Sequence, residues 1–457
     1  MNKKSKLQEF IANPKTSLWK LTIPMMLGLF VNSIYILVDT YFIGSKIGTS
    51  AISALGYVMP FYFIVMGITF GLSSGNTTVI AQHIGEGDEA KTNLIAQNSL
   101  VMATVISIIN IALVLFFGKQ LLMLQGIDSK ILELAMEYFY IMAYGSIFLI
   151  FGIFIRSILI GEGESMIPMA ALGAGTILNI ILDPFFIDAW GIGGAAYATV
   201  VSQIIVILIF IYFIFIKKST YIDLSFKNFH IDFTMWNKIF KIGVPSSLSM
   251  LIMSLGLFLM NSIFIEDSHV AAYNLANRIE NFIILALISI ATSQVTIIGM
   301  FYGAKKNNLI KPMIRYTTLW AVLIASFFSI ITFFFIEDIA PLFLTSTSSN
   351  EFKMSNEAIK SVVDYYKVMA FAYPFIALTM VSTRAMQAIG TAWPMMLVAF
   401  SRVIVMQCIL SYIFIIILGK PIIWAWYAIS ISCIIASLLA YFMKIYFVNK
   451  LYTKEAI

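Results

Sequence analysis

Apolar positions along this chain come in long unbroken runs, with the polar positions gathered between them. A membrane-crossing helix needs about 20 predominantly apolar residues. Cut at glycines, prolines and charge clusters, the sequence offers twelve such runs: about 18–43, 52–80, 93–117, 133–158, 167–187, 192–216, 236–262, 270–300, 313–336, 358–386, 393–418 and 421–447. The expected fold class is therefore an all-α integral membrane protein of twelve transmembrane helices.

The pattern also repeats. LTIPMMLG in the first run is answered by KIGVPSSLSM at the seventh, and IAQHIGEGDEAK after the second by IGMFYGAKKNN after the eighth. Pro24 then pairs with Pro245 and Gly85 with Gly303, and GEGESMIPM after the fourth run resembles AIGTAWPMM after the tenth. Six spans used twice enter the membrane in the same sense, as parallel repeats do. The expected organisation is a cytoplasmic lead-in 1–17, a first lobe 18–216, a cytoplasmic linker 217–235, a second lobe 236–447 and a cytoplasmic tail 448–457. The lead-in is basic, but no short apolar core with a cleavage site follows it, so it reads as retained and not as a signal peptide.

Charge orients this arrangement. With the N-terminus inside, 18 of the 29 Lys and Arg residues fall on the inner side and 6 on the outer, which the positive-inside rule reads as both termini cytoplasmic. Composition agrees with the medium: 60% of the 457 residues are hydrophobic and 11% charged, against about 25% charged in soluble domains. Mean hydropathy is +0.92. The net charge of +6 comes from loop lysines and is no nucleic-acid signal. The expected surroundings are membrane lipid, and the default state is a monomer. Cys408 and Cys433 lie in apolar runs and read as buried thiols, and no Cys/His cluster of zinc type is present. Neither GEGES nor GEGDEAK is a phosphate-binding loop of the G-x-x-x-x-G-K-[ST] kind. A non-enzyme without cofactor is expected, so uphill work draws on an ion gradient, with Na⁺ or H⁺ as the coupling ion.

Two acids carry the chemistry. Asp39 in ILVDTYFIG and Asp183 in NIILDPFFI sit inside apolar runs, where an ionisable group marks a functional site by default. Asn32, Tyr35 and Asp39 share one helix face, and Pro24 invites a bend in the same span. Asn179 lies one turn below Asp183. Pro184 predicts irregular backbone there, which would free carbonyl oxygens for Na⁺, or leave Asp183 as a helix-terminal acid near the interface. Thr199 falls in the same outer layer of the sixth span. Asp39, Asn179, Asp183 and Thr199 thus offer oxygen ligands for a possible Na⁺ site, or two carboxylates able to share one proton. Substrate-cavity or gating candidates are Asn32, Arg156, Arg278 and Glu280, with Arg156 and Arg384 near inner helix ends, where long side chains can snorkel to the interface. Arg402 lies deeper, in the eleventh span. Tyr138, Tyr140 and Tyr144 fit an aromatic belt or, with Met25 and Met26, a flexible cavity. A channel would need a continuous polar pore, for which the internal polar groups are too few. A flippase or exporter of a lipid-linked or metabolic substrate is the alternative.

At Pro24, Asp39 and IAQHIGEGDEAK, and through LTIPMMLG, LVDTYFIG, AISALGYVMP, NIILDP and GIGGAAYATVVSQ, the chain resembles the multidrug and toxic compound extrusion (MATE) family over about 15–450. The branch it resembles is the prokaryotic one with DNA-damage-inducible and staphylococcal multidrug exporters. The resemblance implies a V-shaped molecule of two six-helix lobes in the cytoplasmic membrane. It implies alternating-access export of amphipathic, cationic organic compounds in exchange for H⁺ or Na⁺. It implies Asp39 as the first-lobe coupling carboxylate with Tyr35 and Asn32 beside it, Asn179 and Asp183 as the fifth-helix pair, Thr199 completing the cation site, and Pro24 as the bending proline. Ile160 stands where many relatives carry an Arg, and Arg156, one turn earlier, is a charge of this chain's own. The seventh span lacks the acid some relatives place there, which shifts weight to the first lobe.

Overall fold

The computed structural model describes residues 5–225, 229–345 and 356–455. Regular structure among them is helical throughout. In order the helices are α1 (Leu7–Ala12), α2 (Pro14–Lys46), α3 (Thr49–Glu86), α4 (Glu89–Met123), α5 (Ser129–Gly161), α6 (Met166–Ile211), α7 (Phe233–Ile263), α8 (Asp267–Gly303), α9 (Asn307–Thr345), α10 (Asn356–Met369), α11 (Tyr373–Ala388), α12 (Trp393–Phe400), α13 (Ile409–Tyr412) and α14 (Ile423–Glu455). Wider π turns continue α6 over Tyr212–Ile216 and flank α13 over Ser401–Cys408 and Ile413–Ile417. The charged breaks between apolar runs supply helix caps. Asp88 accepts from the Lys91 backbone N–H at 3.0 Å, and Asp128 from that of Lys130 at 2.8 Å, each satisfying a donor the helix start leaves open.

Ten of the described helices are long and apolar enough to cross a membrane. The pair Ile359–Met369 and Tyr373–Ala388, bent by 59°, makes an eleventh if the two are counted as one span. The expected twelve runs are not twelve separate helices. The fifth and sixth apolar runs form one stretch, Met166–Ile216, of 51 residues. At about 1.5 Å per residue that is more than twice the roughly 30 Å hydrocarbon core. It is not straight. Trp190 (φ −136°, ψ 19°) and Gly191 (φ 55°, ψ −136°) leave helical geometry. Gly191 takes a left-handed conformation that side chains disfavour. A Cβ on Gly194 would lie 1.9 Å from the Phe186 carbonyl oxygen. Eight residues of straight helix would hold those points about 12 Å apart, so the chain doubles back here. Gly175 and Val206 meet lower down the same hairpin. No charge cluster separates the two runs; glycines do.

Pro184 does not break the helix. α6 runs on through it, and the non-helical residues lie six and seven positions later. Asp183 is accordingly interior to a helix and not at its end. Pro24 likewise sits inside an unbroken α2. A proline inside a helix costs one backbone hydrogen bond, and both helices continue through it.

The chain divides into two compact units, Met1–Gln8 with Ile23–Gly243, and Glu9–Thr22 with Val244–Ile457. α2 changes membership at Thr22–Ile23, next to Pro24. In the first unit α5 packs on α3, α4 and α6. Asn76 on α3 ties this bundle by donating to Ser157 Oγ at 2.8 Å and Ser99 Oγ at 3.2 Å. In the second unit α8 packs against α9, α10 and α11. Trp426, fully buried, stacks on Tyr273 at 6.0 Å and meets Tyr365 edge-on at 5.2 Å.

Candidate functional site

α2 and the first arm of the α6 hairpin bring Asp39 and Asp183 together, with their carboxyl groups within hydrogen-bonding reach of one another. Asn179, one turn from Asp183, donates through Nδ2 to Asp183 Oδ1 at 3.2 Å. Asp183 is 0% and Asn179 2% exposed. Among the described residues, Asp39 Oδ1, Asp183 Oδ2 and Asn179 Oδ1 are buried without a hydrogen-bond partner. Buried polar atoms are almost always paired, so three orphaned acceptors in one cluster set this place apart. Among the described residues no basic side chain is close enough to act on either carboxyl. Lys46, at the end of α2, is occupied elsewhere: it pairs with Asp188 at 2.6 Å and donates to the Pro184 carbonyl at 2.9 Å.

Asn179 also opens on a second feature. It lines a cavity of about 20 Å³ with Asn32, Thr176, Thr199, Ser202 and Gln203, room for about one water-sized body. The expected residues therefore fall into two joined groups. Asp39 and Asp183 meet each other, Asn32 and Thr199 both line the cavity, and Asn179 belongs to both groups. The side chain of Tyr35 lies outside the described residues. Two tyrosines stand beside the acids. Tyr62 on α3 is in the field of Asp39, and Tyr138 on α5, 6% exposed, is in the field of both aspartates. Tyr138 is thus a neighbour of the acids and not an interfacial belt residue, unlike Tyr144, which is 55% exposed.

The oxygen set fits a hard cation, and the touching carboxyls fit a shared proton. Among the described residues no group of three or more His, Cys, Asp or Glu that could hold a metal ion is found, at this site or elsewhere. The MatE family model matches residues 24–185 and 245–413, one stretch in each unit.

The chain belongs to the MatE family.

Relatives of this MatE chain include a probable multidrug resistance protein of Bacillus subtilis, 23% identical over 403 residues that cover 85% of each chain. They also include the multidrug export protein of Staphylococcus aureus, 28% identical over 63% of this chain and 64% of that one. Among solved structures, a MOP-superfamily transporter from Pyrococcus furiosus superposes with a TM-score of 0.92 at 26% identity, covering 99% of both chains. Its published description reports a reversed polarity of the binding pocket suggesting a different function for that protein. The family is one of secondary active multidrug transporters in membranes, and this chain takes its place there as a transporter and not an enzyme.

The second unit of the MatE chain treats its buried acid differently. Glu280 on α8 accepts from the Tyr365 hydroxyl at 2.7 Å and lies in the field of Arg402. Arg402 in turn donates to Cys433 Sγ at 3.6 Å. Arg278 is exposed, so the two residues do not act as a pair. Arg384 donates to Gln387 Oε1 at 2.7 Å. Lys367, near the end of α10, forms an exposed ion pair with Glu337 at 2.8 Å. Arg156 stacks over the Phe70 ring, 5.5 Å from its centroid.

Proposed function

We propose that this chain exports amphipathic organic compounds across the cytoplasmic membrane in exchange for H⁺ or Na⁺, with Asp39 and Asp183 as the groups that bind the coupling ion. The observation that carries this reading is the contact between two buried carboxyls together with three orphaned acceptor oxygens. Two carboxylates in a low-dielectric setting do not both stay charged and uncompensated, so the pair takes up a proton or a small cation. Asn179 holds Asp183 in place. Thr199 and Tyr35 are assigned to the same ion site as oxygen donors. Transport follows if the ion and the compound favour different conformations of the protein. Pro24, beside the point where α2 changes unit, is the assigned bend.

The doubled-back stretch Met166–Ile216 supports counting it as two crossings and the bent α10–α11 pair as one. The proposed architecture is then twelve crossings in two parallel six-helix repeats, both termini cytoplasmic. The basic residues of the loops support that orientation.

The test is dye efflux from vesicles containing the purified protein under imposed gradients of Na⁺ or H⁺. Export should follow one gradient and stop when it is collapsed. Export that survives the collapse of both gradients defeats the antiport reading. Direct cation binding, measured with and without Na⁺, separates the two ions.

A further inference from the structure

The ion site uses acids; the same unit also holds a cation that it does not use. Arg156 sits on α5, whose neighbouring residue fixes its depth. Ser157 accepts from Asn76 Nδ2 at 2.8 Å, and its carbonyl accepts from Thr77 Oγ1 at 3.0 Å. The Arg156 guanidinium, however, lies over Phe70, six residues earlier on α3. Along a helix that is about 9 Å, directed away from the inner end of α3 at Glu86 and toward its middle. Side chains on a helix lean toward its N-terminus, and on α5 that direction is the same. The guanidinium therefore reaches into the membrane interior and does not snorkel to the inner interface.

It has no counter-charge there. Among the described residues Arg156 makes no ion pair and no hydrogen bond, and no carboxyl is close enough to act on it. The other deep arginines are provided for: Arg402 has Glu280 and Cys433, and Arg384 has Gln387. One turn before Arg156, on the side its stem covers, stands Gly152. A Cβ there would lie 3.9 Å from Gln203 Oε1, and Gln203 lines the polar cavity shared with Asn179. The face of α5 that carries Arg156 thus passes Gln203, one of the residues lining that cavity. A fork of five N–H donors stacked on an aromatic face, and lacking an acid, is suited to a planar carboxylate.

We propose that Arg156 receives a carboxylate of the exported compound, so that the preferred substrates are zwitterionic or anionic amphipaths and not purely cationic ones. This rests on the export reading above for its transport consequence, but the binding claim stands by itself. The test uses the full-length purified protein and two probes, rhodamine B, which carries a free carboxylate, and its ethyl ester, which does not. Fluorescence anisotropy should show wild-type protein binding rhodamine B more tightly than the ester. Arg156→Gln should weaken rhodamine B binding about tenfold or more, as loss of a buried charge pair does, and change ester binding less than about twofold. Arg156→Lys, folded and still charged, should keep part of the preference. Equal losses for both dyes in R156Q, no loss for either, or an R156K protein no more selective than R156Q would each overturn the proposal. Dye discrimination by Arg156 without gradient-driven efflux would instead uphold the carboxylate site and defeat the antiport reading.

Discussion

Glu280 in the second unit and the Asp39–Asp183 pair in the first are all acids within membrane helices, yet their surroundings differ in kind. Glu280 has a phenol donating to it at 2.7 Å and a guanidinium nearby. Three aromatic rings, of Tyr273, Tyr365 and Trp426, pack on one another beside it. Its charge or its proton is already provided for by the protein. Asp39 and Asp183 have each other and one amide, and three of the oxygens in that cluster are orphaned. The same residue class is a structural tie in one unit and an unmet demand in the other. A demand of that kind can be met by something that arrives and leaves, which is what coupling requires.

Replacing the acid at the centre of that demand should have the largest effect. Asp39→Asn should bring gradient-driven efflux down to the level of empty vesicles, because an amide cannot carry the charge that the ion neutralises. The purified variant should still fold, since removing an uncompensated buried charge relieves a desolvation cost. Asp183→Asn should reduce efflux at least about tenfold on the same grounds. If Asp39→Asn keeps the wild-type pH and Na⁺ dependence, the coupling site lies elsewhere and the contrast between the units collapses.

Asn179 comes next. Asn179→Leu removes the donor to Asp183 and a polar wall of the cavity. Apparent affinity for the coupling ion should fall about tenfold, equivalent to roughly 1.4 kcal/mol. The maximal efflux rate at saturating ion should change far less. A fall in maximal rate with unchanged ion affinity would make Asn179 a packing residue only.

Much of this was legible before the structure. Long apolar runs give helices because length and hydropathy are local properties; the expected runs overlap described helices, but the tenth is interrupted at residues 370–372 and the fifth and sixth run on as one stretch. Asp39 and Asp183 declare themselves because an acid in an apolar run is costly wherever it points. What was not legible depended on contact between helices. Tyr62 and Tyr138 carry no mark in the sequence that separates them from belt tyrosines; only the packing of α3 and α5 beside the acids does. Ser202 and Gln203 could have been found, since Thr199, Ser202 and Gln203 fall three and four apart on one face. Pro184 misled because proline lowers helix propensity without deciding it, and tertiary packing overrode that local preference. The reversal came instead at Trp190–Gly191, where the glycines of GIGG allow close approach.

In the second unit the effect should appear in stability and not in coupling. Tyr365→Phe leaves Glu280 Oε2 without its phenol donor, and an unmet buried acceptor costs about 1–3 kcal/mol. The melting temperature should drop while the ion dependence of efflux stays as in wild type. If Tyr365→Phe shifts the ion dependence and leaves the melt untouched, Glu280 is a coupling group and the two units are alike after all.

The smallest effect should be at the end of the first unit where residues 217–235 are fastened by side chains. Asn98, 0% exposed on α4, accepts from the Asp232 backbone N–H at 3.0 Å and from Trp236 Nε1 at 3.1 Å, and donates to the His230 carbonyl at 3.1 Å. Glu162 Oε2 accepts from the backbone N–H groups of Tyr221 and Ile222, both at 3.1 Å. Asp232 caps α7 through Thr234, whose hydroxyl and N–H hold its carboxyl below the usual carboxylate range. A carboxyl with a lowered folded pKa contributes its stability above the unfolded value and loses it only as pH falls through the folded one. The cap thus keeps its charge, and its share of the stability, throughout the range above the ordinary carboxylate pKa. Asn98→Leu removes three of the fastening bonds without touching either Asp39 or Asp183. Trypsin cleavage after Lys217 and Lys218 should rise several-fold, as local opening becomes easier, while the pH profile of efflux keeps its midpoint. A shifted midpoint in Asn98→Leu would tie the linker to the ion site and break the separation between fastening and coupling within the first unit.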